Sequence, residues 1–176
     1  MSISLAKVKS KSVPKITIRP QKLSDAKRFY EIMSVKDYPF STGPKSLEDE
    51  IKYMKDMQTK IKKFNLNRNY TIFLDGEIVG GCGIKIDYHR QFIGELGYFV
   101  DKNYWGRGIA TEAVRQLEKI CFNELKLKRI EIRMNTKNCP SERVAIKAGY
   151  EKEGVLKKSF LQKGKLVDDY LYAKVK

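Results

Sequence analysis

Between residues 92 and 134, a predicted strand is followed by a glycine-bearing loop, an amphipathic helix and a second strand. Apolar residues recur at helical spacing through 109–125, and apolar and charged residues alternate through 129–134. A helix that connects two strands of one sheet places those strands parallel to each other. This passage therefore requires a sheet that contains a parallel pair, with the connecting helix packed on one face.

The remaining segments predict strands that pair with their neighbours in sequence. Strands are predicted at 16–19, 70–74, 77–86, 92–100, 153–161 and 166–175, and helices at 24–33, 46–64 and 140–148. Ser24 is expected to cap the first helix, and the apolar positions of the second to serve packing. The order β α α β β β α β α β β predicts an α/β (α+β) fold. Its sheet is mixed and mostly antiparallel, with helices on both faces.

Length and composition indicate one folded unit. The chain has 176 residues, of which 41% are hydrophobic, enough to build a core. We expect residues 1–14 to form a flexible basic arm and residues 15–176 a single domain. No apolar run approaches the length of a membrane span, and the basic N-terminus lacks the apolar stretch of a secretory signal. We therefore expect a cytoplasmic protein that does not contact membranes.

The formal net charge is +15, from 36 basic and 21 acidic residues. Such a charge favours anionic partners, namely phosphorylated cofactors, nucleic acid or a ribosomal surface. Most of the basic residues, however, are lysines spread along the chain. This distribution is more typical of solvent-exposed surface charges than of a surface that binds phosphates specifically. No zinc-finger or other nucleic-acid-binding motif occurs, so a nucleic-acid-binding module ranks low.

Metal binding and covalent catalysis are not expected. The cysteines, Cys82, Cys121 and Cys139, form no CxxC pair, and His89 is the sole histidine. These residues cannot assemble a zinc site at plausible spacing. Cys82 and Cys121 lie among apolar neighbours, where buried cysteines act as small hydrophobic groups.

The loop before the 109–125 helix is the informative motif. Its glycines, Gly106 and Gly108, let the main chain approach an anion closely, and the helix start presents unpaired N–H groups. Arg107 adds a cation and Thr111 a hydroxyl. A G-x-G turn before a helix more often only joins two elements, so the loop alone is weak evidence.

Two further segments strengthen the interpretation of this loop as a phosphate site. Together with the loop, they resemble a known family. Asn138-Cys139-Pro140-Ser141 opens the next helix, and Gly94-Glu95-Leu96-Gly97 places glycines inside a strand, as at a bulge or beside a ligand. The run Trp105-Gly106-Arg107-Gly108-Ile109-Ala110 resembles the acetyl-CoA pyrophosphate loop of the GNAT superfamily. Trp105, in place of the usual Gln or Arg, resembles the RimJ/RimL-like branch that acetylates the N-termini of ribosomal proteins.

The resemblance implies a fold and a binding site. The parallel strands would splay apart beyond a bulge, and the pantetheine arm of acetyl-CoA would lie between them. The pyrophosphate would bind main-chain amides of residues 107–111. The residues expected to bind acetyl-CoA are Tyr98, Phe99, Val100, Trp105, Gly106, Arg107, Gly108, Ile109, Ala110, Thr111, Asn138 and Ser141.

Transfer of an acetyl group requires a neutral amine, so a general base is expected. Glu95 is the candidate base, with a surface ion pair to a lysine as its alternative role. Ser141 is the candidate acid for the leaving thiolate. The branch often carries a glutamate where this chain has Phe160, and many GNAT enzymes carry a tyrosine where it has Ala145.

The predicted function is acetyl-CoA-dependent N-acetylation of a primary amine, with a protein or peptide N-terminal α-amine as the acceptor. Two alternatives stay open: acetylation of a polyamine or another small amine, and a catalytically silent acetyl-CoA sensor. The candidate partners are acetyl-CoA, the amine acceptor, a ribosomal or other anionic surface, and a second copy of the chain.

Overall fold

The computed structural model describes residues 14–35, 38, 43–64, 66–162 and 164–176. The strands are β1 (Ile16–Pro20), β2 (Asn67–Leu74), β3 (Glu77–Ile86), β4 (Ile93–Val100), β5 (Arg129–Asn135), β6 (Glu151–Gln162) and β7 (Lys165–Val175). The α-helices are α1 (Ala26–Met33), α2 (Leu47–Phe64), α3 (Ile109–Lys119) and α4 (Cys139–Lys147). This order confirms the predicted succession of elements. The predicted arm, apart from Pro14, lies outside the described residues, and the division at residue 15 stays a prediction.

The seven strands form one sheet in the order β1-β2-β3-β4-β5-β7-β6. Within the part of the chain that the structure describes, only β4 and β5 pair in parallel, and their ladder contains three pairs, from Ile93 with Arg129 to Glu95 with Glu131. Beyond Glu95 the two strands diverge, which confirms the predicted splayed pair. No bulge accompanies the divergence, because β4 keeps a continuous register with β3 from Gly94 to Val100.

Helices cover both faces of the sheet, as predicted. On one face, α3 packs Ile109, Val114 and Leu117 into the larger core, which also holds Leu96 and Ile132 of the sheet. The other face carries a smaller core built from α1 and α2. Its members are Ala26, Phe29 and Met54, with Phe99 packed against them. Leu96 and Phe99 stand on opposite faces because side chains alternate along a strand.

Some local predictions were wrong at the ends of elements. A 3₁₀ turn at Leu23–Asp25 precedes the first helix. The side chain that accepts a main-chain N–H at the start of this turn is that of Asp25 rather than Ser24. The Asp25 carboxylate accepts the Lys22 N–H at 2.9 Å. The second strand begins at Asn67, three residues earlier than predicted, because its polar start pairs with Gly83–Lys85 of β3.

Candidate active site

A cleft of about 1420 Å³ lies along the part of β4 that does not pair with β5. Residues of α1, α2, β2, β3, β4, the loop after β4 and the starts of α3 and α4 line it. Of the residues singled out from the sequence, those that line it are Glu95, Tyr98, Phe99, Val100, Trp105, Gly106, Gly108, Ile109, Ala110, Thr111, Asn138 and Ser141. Arg107 is the exception, since its guanidinium lies 5.1 Å from the Tyr104 ring centroid and donates to the Asn103 carbonyl. The cation predicted for Arg107 therefore does not line the cleft, and the contact predicted for its main-chain N–H stays a prediction.

The loop after β4 presents main-chain donors to the cleft. Gly106 and Gly108 have φ values of 76° and 77°, a left-handed conformation that side chains disfavour. Gly108 is the residue before α3, so the N–H groups of the first α3 residues have no partner inside the helix. The described residues of other elements accept none of them. Unpaired N–H groups at the positive end of a helix dipole suit a pyrophosphate.

Two aromatic side chains fix the point at which this loop leaves the sheet. The Trp105 indole N–H and the Tyr38 hydroxyl both donate to the Val100 carbonyl, at 2.7 and 2.8 Å. Burial raises the pKa of Tyr38 to about 12, so its hydroxyl stays protonated and keeps donating at neutral pH. The branch-typical tryptophan thus has a structural reason, because its N–H ties the loop back to β4.

The start of α4 faces β4 across the cleft. The Tyr98 hydroxyl lies 2.8 Å from the Ser141 hydroxyl oxygen. The Asn138 side chain accepts the Ser141 main-chain N–H at 3.2 Å, and this bond caps α4. Burial raises the pKa of Tyr98 to about 12, which keeps that phenol protonated at neutral pH. The sequence pointed to Tyr98 only for its main chain and missed this side-chain contact.

Comparisons with known proteins bear on this arrangement. Residues 15–151 match the family described as "Acetyltransferase (GNAT) domain". The chain belongs to the GNAT family.

Individual GNAT relatives support the assignment. The "Uncharacterized N-acetyltransferase p20" of Bacillus licheniformis is 29% identical over 92% of this chain and 93% of its own. The "Ribosomal-protein-serine acetyltransferase" of Escherichia coli is 27% identical over 60% of this chain and 59% of its own. The structure of Mycobacterium smegmatis RimJ in complex with CoA-disulfide matches with a TM-score of 0.81 at 25% identity, over 91% of this chain and 81% of that one. The chain is an acetyl-CoA-dependent N-acetyltransferase.

The GNAT cleft holds Glu95 at the last pair of the parallel ladder. Its side chain is 48% exposed and lies 3.8 Å from Arg133, an arginine rather than the lysine considered from the sequence. The carboxylate is therefore accessible from the cleft and only loosely paired. Phe160 and Ala145, where many GNAT enzymes carry other residues, are respectively half exposed on β6 and fully buried.

Two further carboxylates that line the cleft were missed by the sequence analysis, the exposed Asp49 and the buried Glu50. Glu50, in the first turn of α2, lines the cleft although only 4% of it is exposed. Burial raises the pKa of its carboxyl group. The signal was present, because Glu50 falls on the apolar stripe formed by Leu47, Ile51 and Met54, at a position where packing would favour a hydrophobic residue.

No helix among the described residues has the length and apolar character needed to cross a membrane. Nor do the described ranges bring three potential metal-binding side chains of His, Cys, Asp or Glu together.

Proposed function

We propose that this GNAT enzyme acetylates the α-amine at the N-terminus of a protein or peptide. The observation that supports the proposal is that one cleft, along the part of β4 that does not pair with β5, is lined both by the loop and helix start with unpaired N–H groups and by the accessible Glu95 carboxylate. Acetyl-CoA supplies the acetyl group as a thioester. The chain's own groups must hold the donor, neutralise the amine and assist the leaving sulfur.

Glu95 is proposed to remove the proton of the incoming ammonium, directly or through one water. An α-amine has a pKa of about 8 and a lysine side chain a pKa of about 10.4. Deprotonation at pH 7 therefore costs about 1.4 kcal/mol for the α-amine and more than 4 kcal/mol for lysine, at about 1.4 kcal/mol per pKa unit. A carboxylate base of modest strength thus favours the N-terminal amine.

Ser141 is proposed to donate a hydrogen bond to the leaving sulfur. The Tyr98 hydroxyl can donate its one proton to the Ser141 carbonyl, at 3.2 Å, or to the Ser141 hydroxyl, at 2.8 Å. When it donates to the hydroxyl, the serine keeps its own proton for the leaving sulfur. A serine hydroxyl is a weaker acid than a phenol, so Ser141 would stabilise the leaving thiolate by a hydrogen bond rather than by transferring a proton, and Tyr98 would orient Ser141. The pyrophosphate-binding role of residues 106–111 and the pantetheine contacts of Asn138 and of Tyr98–Val100 belong to the same proposal.

A screen of acceptors by CoA release tests the proposed function. The purified protein is incubated with acetyl-CoA and one of three amines: a peptide with a free N-terminus, the same peptide N-acetylated but carrying one lysine, or a polyamine. We expect the free N-terminus to give the highest kcat/KM. A preference for the lysine peptide would contradict the choice of α-amine, and a preference for the polyamine would favour the small-amine alternative.

The sensor alternative gives a different pattern in the same screen. Acetyl-CoA would bind, as measured by calorimetry, and no amine would release CoA. An anionic partner such as the ribosome, a homodimer and a cytoplasmic location stay predictions. They are tested by co-sedimentation with ribosomes, by the mass in solution and by fractionation of the cell.

A further inference from the structure

The α2 side of the cleft contains a carboxylate that the described residues leave without a partner. Glu50 is 4% exposed and lines the cleft. Across the described residues, no hydrogen bond or ion pair reaches its side chain. Lys45 and Lys85 also line the cleft, yet neither forms an ion pair with it.

Such a carboxylate is costly to bury. An ionised group removed from water loses its hydration, and a buried charge is normally paired or hydrogen-bonded. The N-terminal turn of α2 offers partial compensation through the helix dipole. The charge also acts on its surroundings, because burial and the nearby Glu50 carboxylate together raise the pKa of Tyr53. A cation that enters the cleft and pairs with Glu50 would relieve this cost.

The two glutamates of the cleft belong to different elements and differ in their surroundings. Glu95, on β4, is half exposed beside Arg133 at the point where the parallel strands part. Glu50, on α2, is buried and lies one helical turn before Met54 of the smaller core. The reacting amine must be neutral when it attacks, and a tight ion pair with a carboxylate would keep an amine charged. Glu50 is therefore suited to a cationic group that does not react.

We propose that Glu50 binds a second cationic group of the acceptor, and that the preferred acceptors of this enzyme carry such a group close to the amine that is acetylated. The inference rests on the proposed acetyl transfer and narrows its substrate class. A diamine and a peptide whose second residue is basic share this chemistry. In both, Glu50 determines specificity through charge while another group handles the proton.

Matched amines separate this role from that of a base. The probes are 1,4-diaminobutane and n-butylamine, which differ in one ammonium group, and two dipeptide amides, Ala-Lys and Ala-norleucine, which differ in the same way. We expect wild type to favour the dicationic member of at least one pair by tenfold or more in kcat/KM. The pair with the larger preference identifies the source of the second charge. Wild type that prefers neither dication contradicts the proposal.

Glu50→Gln should reduce that preference to within about twofold of unity and leave the kcat/KM for the monocationic acceptor within twofold of wild type. Equal losses for both members of a pair would mean that Glu50 acts as a base and would overturn the proposal. Glu48→Gln is the matched control, since it removes the same charge from the same helical turn at an exposed position outside the cleft. It should keep the wild-type preference.

Folding and acetyl transfer are checked separately. Glu50→Gln removes a desolvated charge, so its melting temperature should equal or exceed that of wild type, and Glu50→Asp should retain part of the preference. If no amine is acetylated, the proposed function fails, and binding of 1,4-diaminobutane to the CoA-bound protein, measured by calorimetry, still tests Glu50. Binding at least tenfold weaker in Glu50→Gln than in wild type supports the proposal, and equal binding refutes it.

Discussion

Glu95 and Glu131 are partners in the parallel ladder, yet their environments differ. Glu131 is buried, and burial alone would raise its pKa. Hydrogen bonds at 2.8 Å from Arg129 and from Arg133 outweigh burial and hold the pKa of Glu131 below its usual value. Glu131 is therefore a fixed anion within the sheet. Glu95, half exposed and 3.8 Å from Arg133, has no ion pair as short as those of Glu131 and lies open to the cleft.

Replacing Glu95 by glutamine should therefore affect the chemical step. The change removes the proposed base and keeps the shape of the side chain. We expect kcat to fall by a factor of about 100 or more, a typical loss for a general base. The Kd of acetyl-CoA, measured by calorimetry, should stay within about twofold of the wild-type value, because the loop N–H groups are unaltered.

The control for this variant is Glu151→Gln, which removes an equal charge from an exposed position at the start of β6, outside the cleft. It should turn over at the wild-type rate. If Glu95→Gln also turned over at that rate, Glu95 would be removed as the base.

The strand β4 performs two tasks along its length. Its first three residues pair with β5, whereas its later residues, through Val100, pair only with β3 and border the cleft. Gly97 lies in this later part. A methyl group added at Gly97 would meet no atom within 4 Å, because that side of the strand faces the cleft. The main chain there is accessible to a ligand that lies along the strand.

Replacing Gly97 by valine should therefore separate binding from folding. A valine suits a strand and has room in the free protein, so the free energy of unfolding should be unchanged or higher by about 0.5 to 1 kcal/mol. The side chain would enter the space expected for pantetheine. The Kd of acetyl-CoA, measured by calorimetry, should rise at least tenfold, about 1.4 kcal/mol.

Gly154→Val supplies the comparison for this change. Gly154 lies in β6, has equally open space for a side chain and does not line the cleft. It should share any gain in stability and bind acetyl-CoA normally. Wild-type affinity in Gly97→Val would show that the donor does not lie along this strand.

Across the whole molecule, a buried ionic group links elements distant in sequence. The Asp25 carboxylate accepts two hydrogen bonds from Arg19 of β1, at 2.8 and 2.7 Å, and one from Thr71 of β2 at 2.6 Å. Burial would raise the pKa of Asp25, but these bonds and the Lys22 N–H lower it below its usual value. These bonds connect the start of α1, which contributes to the smaller core, to the edge strand β1.

Asp25→Asn should lower the free energy of unfolding at pH 7 by about 2 to 3 kcal/mol, because Arg19 loses its buried partner. In wild type, the lowered pKa of Asp25 stabilises the folded state at any pH above the pKa of this carboxyl in the unfolded chain, about 4. This contribution is lost as the pH falls through the pKa of Asp25 in the folded state. Urea unfolding between pH 5 and pH 2 should thus show a shallower loss of stability in the variant.

Asp56→Asn changes the same charge on the exposed side of α2 and should follow the wild-type pH profile. An Asp25→Asn profile parallel to that of wild type would mean that Asp25 does not contribute to the acid sensitivity.

The sequence by itself determined the element order, the parallel pair, the two helix-covered faces and the loop that presents N–H groups. Each follows from local physics: apolar spacing reports the buried side of an element, glycines permit the turns at 106 and 108, and a helical connection makes its flanking strands parallel. These properties require only neighbouring residues, so they are readable without knowledge of long-range contacts.

Only the tertiary structure decided which side chains meet. The pairing of β4 with β5 ends after three residues, Tyr98 reaches Ser141 from 43 residues away, and Tyr38 and Trp105 converge on one carbonyl. Glu50, which the sequence places on the apolar stripe of α2, lines the cleft. Spacing along an element fixes the side on which a residue lies, but the distance to groups on other elements depends on how strands twist and helices dock. The chemistry of the cleft depends on those distances.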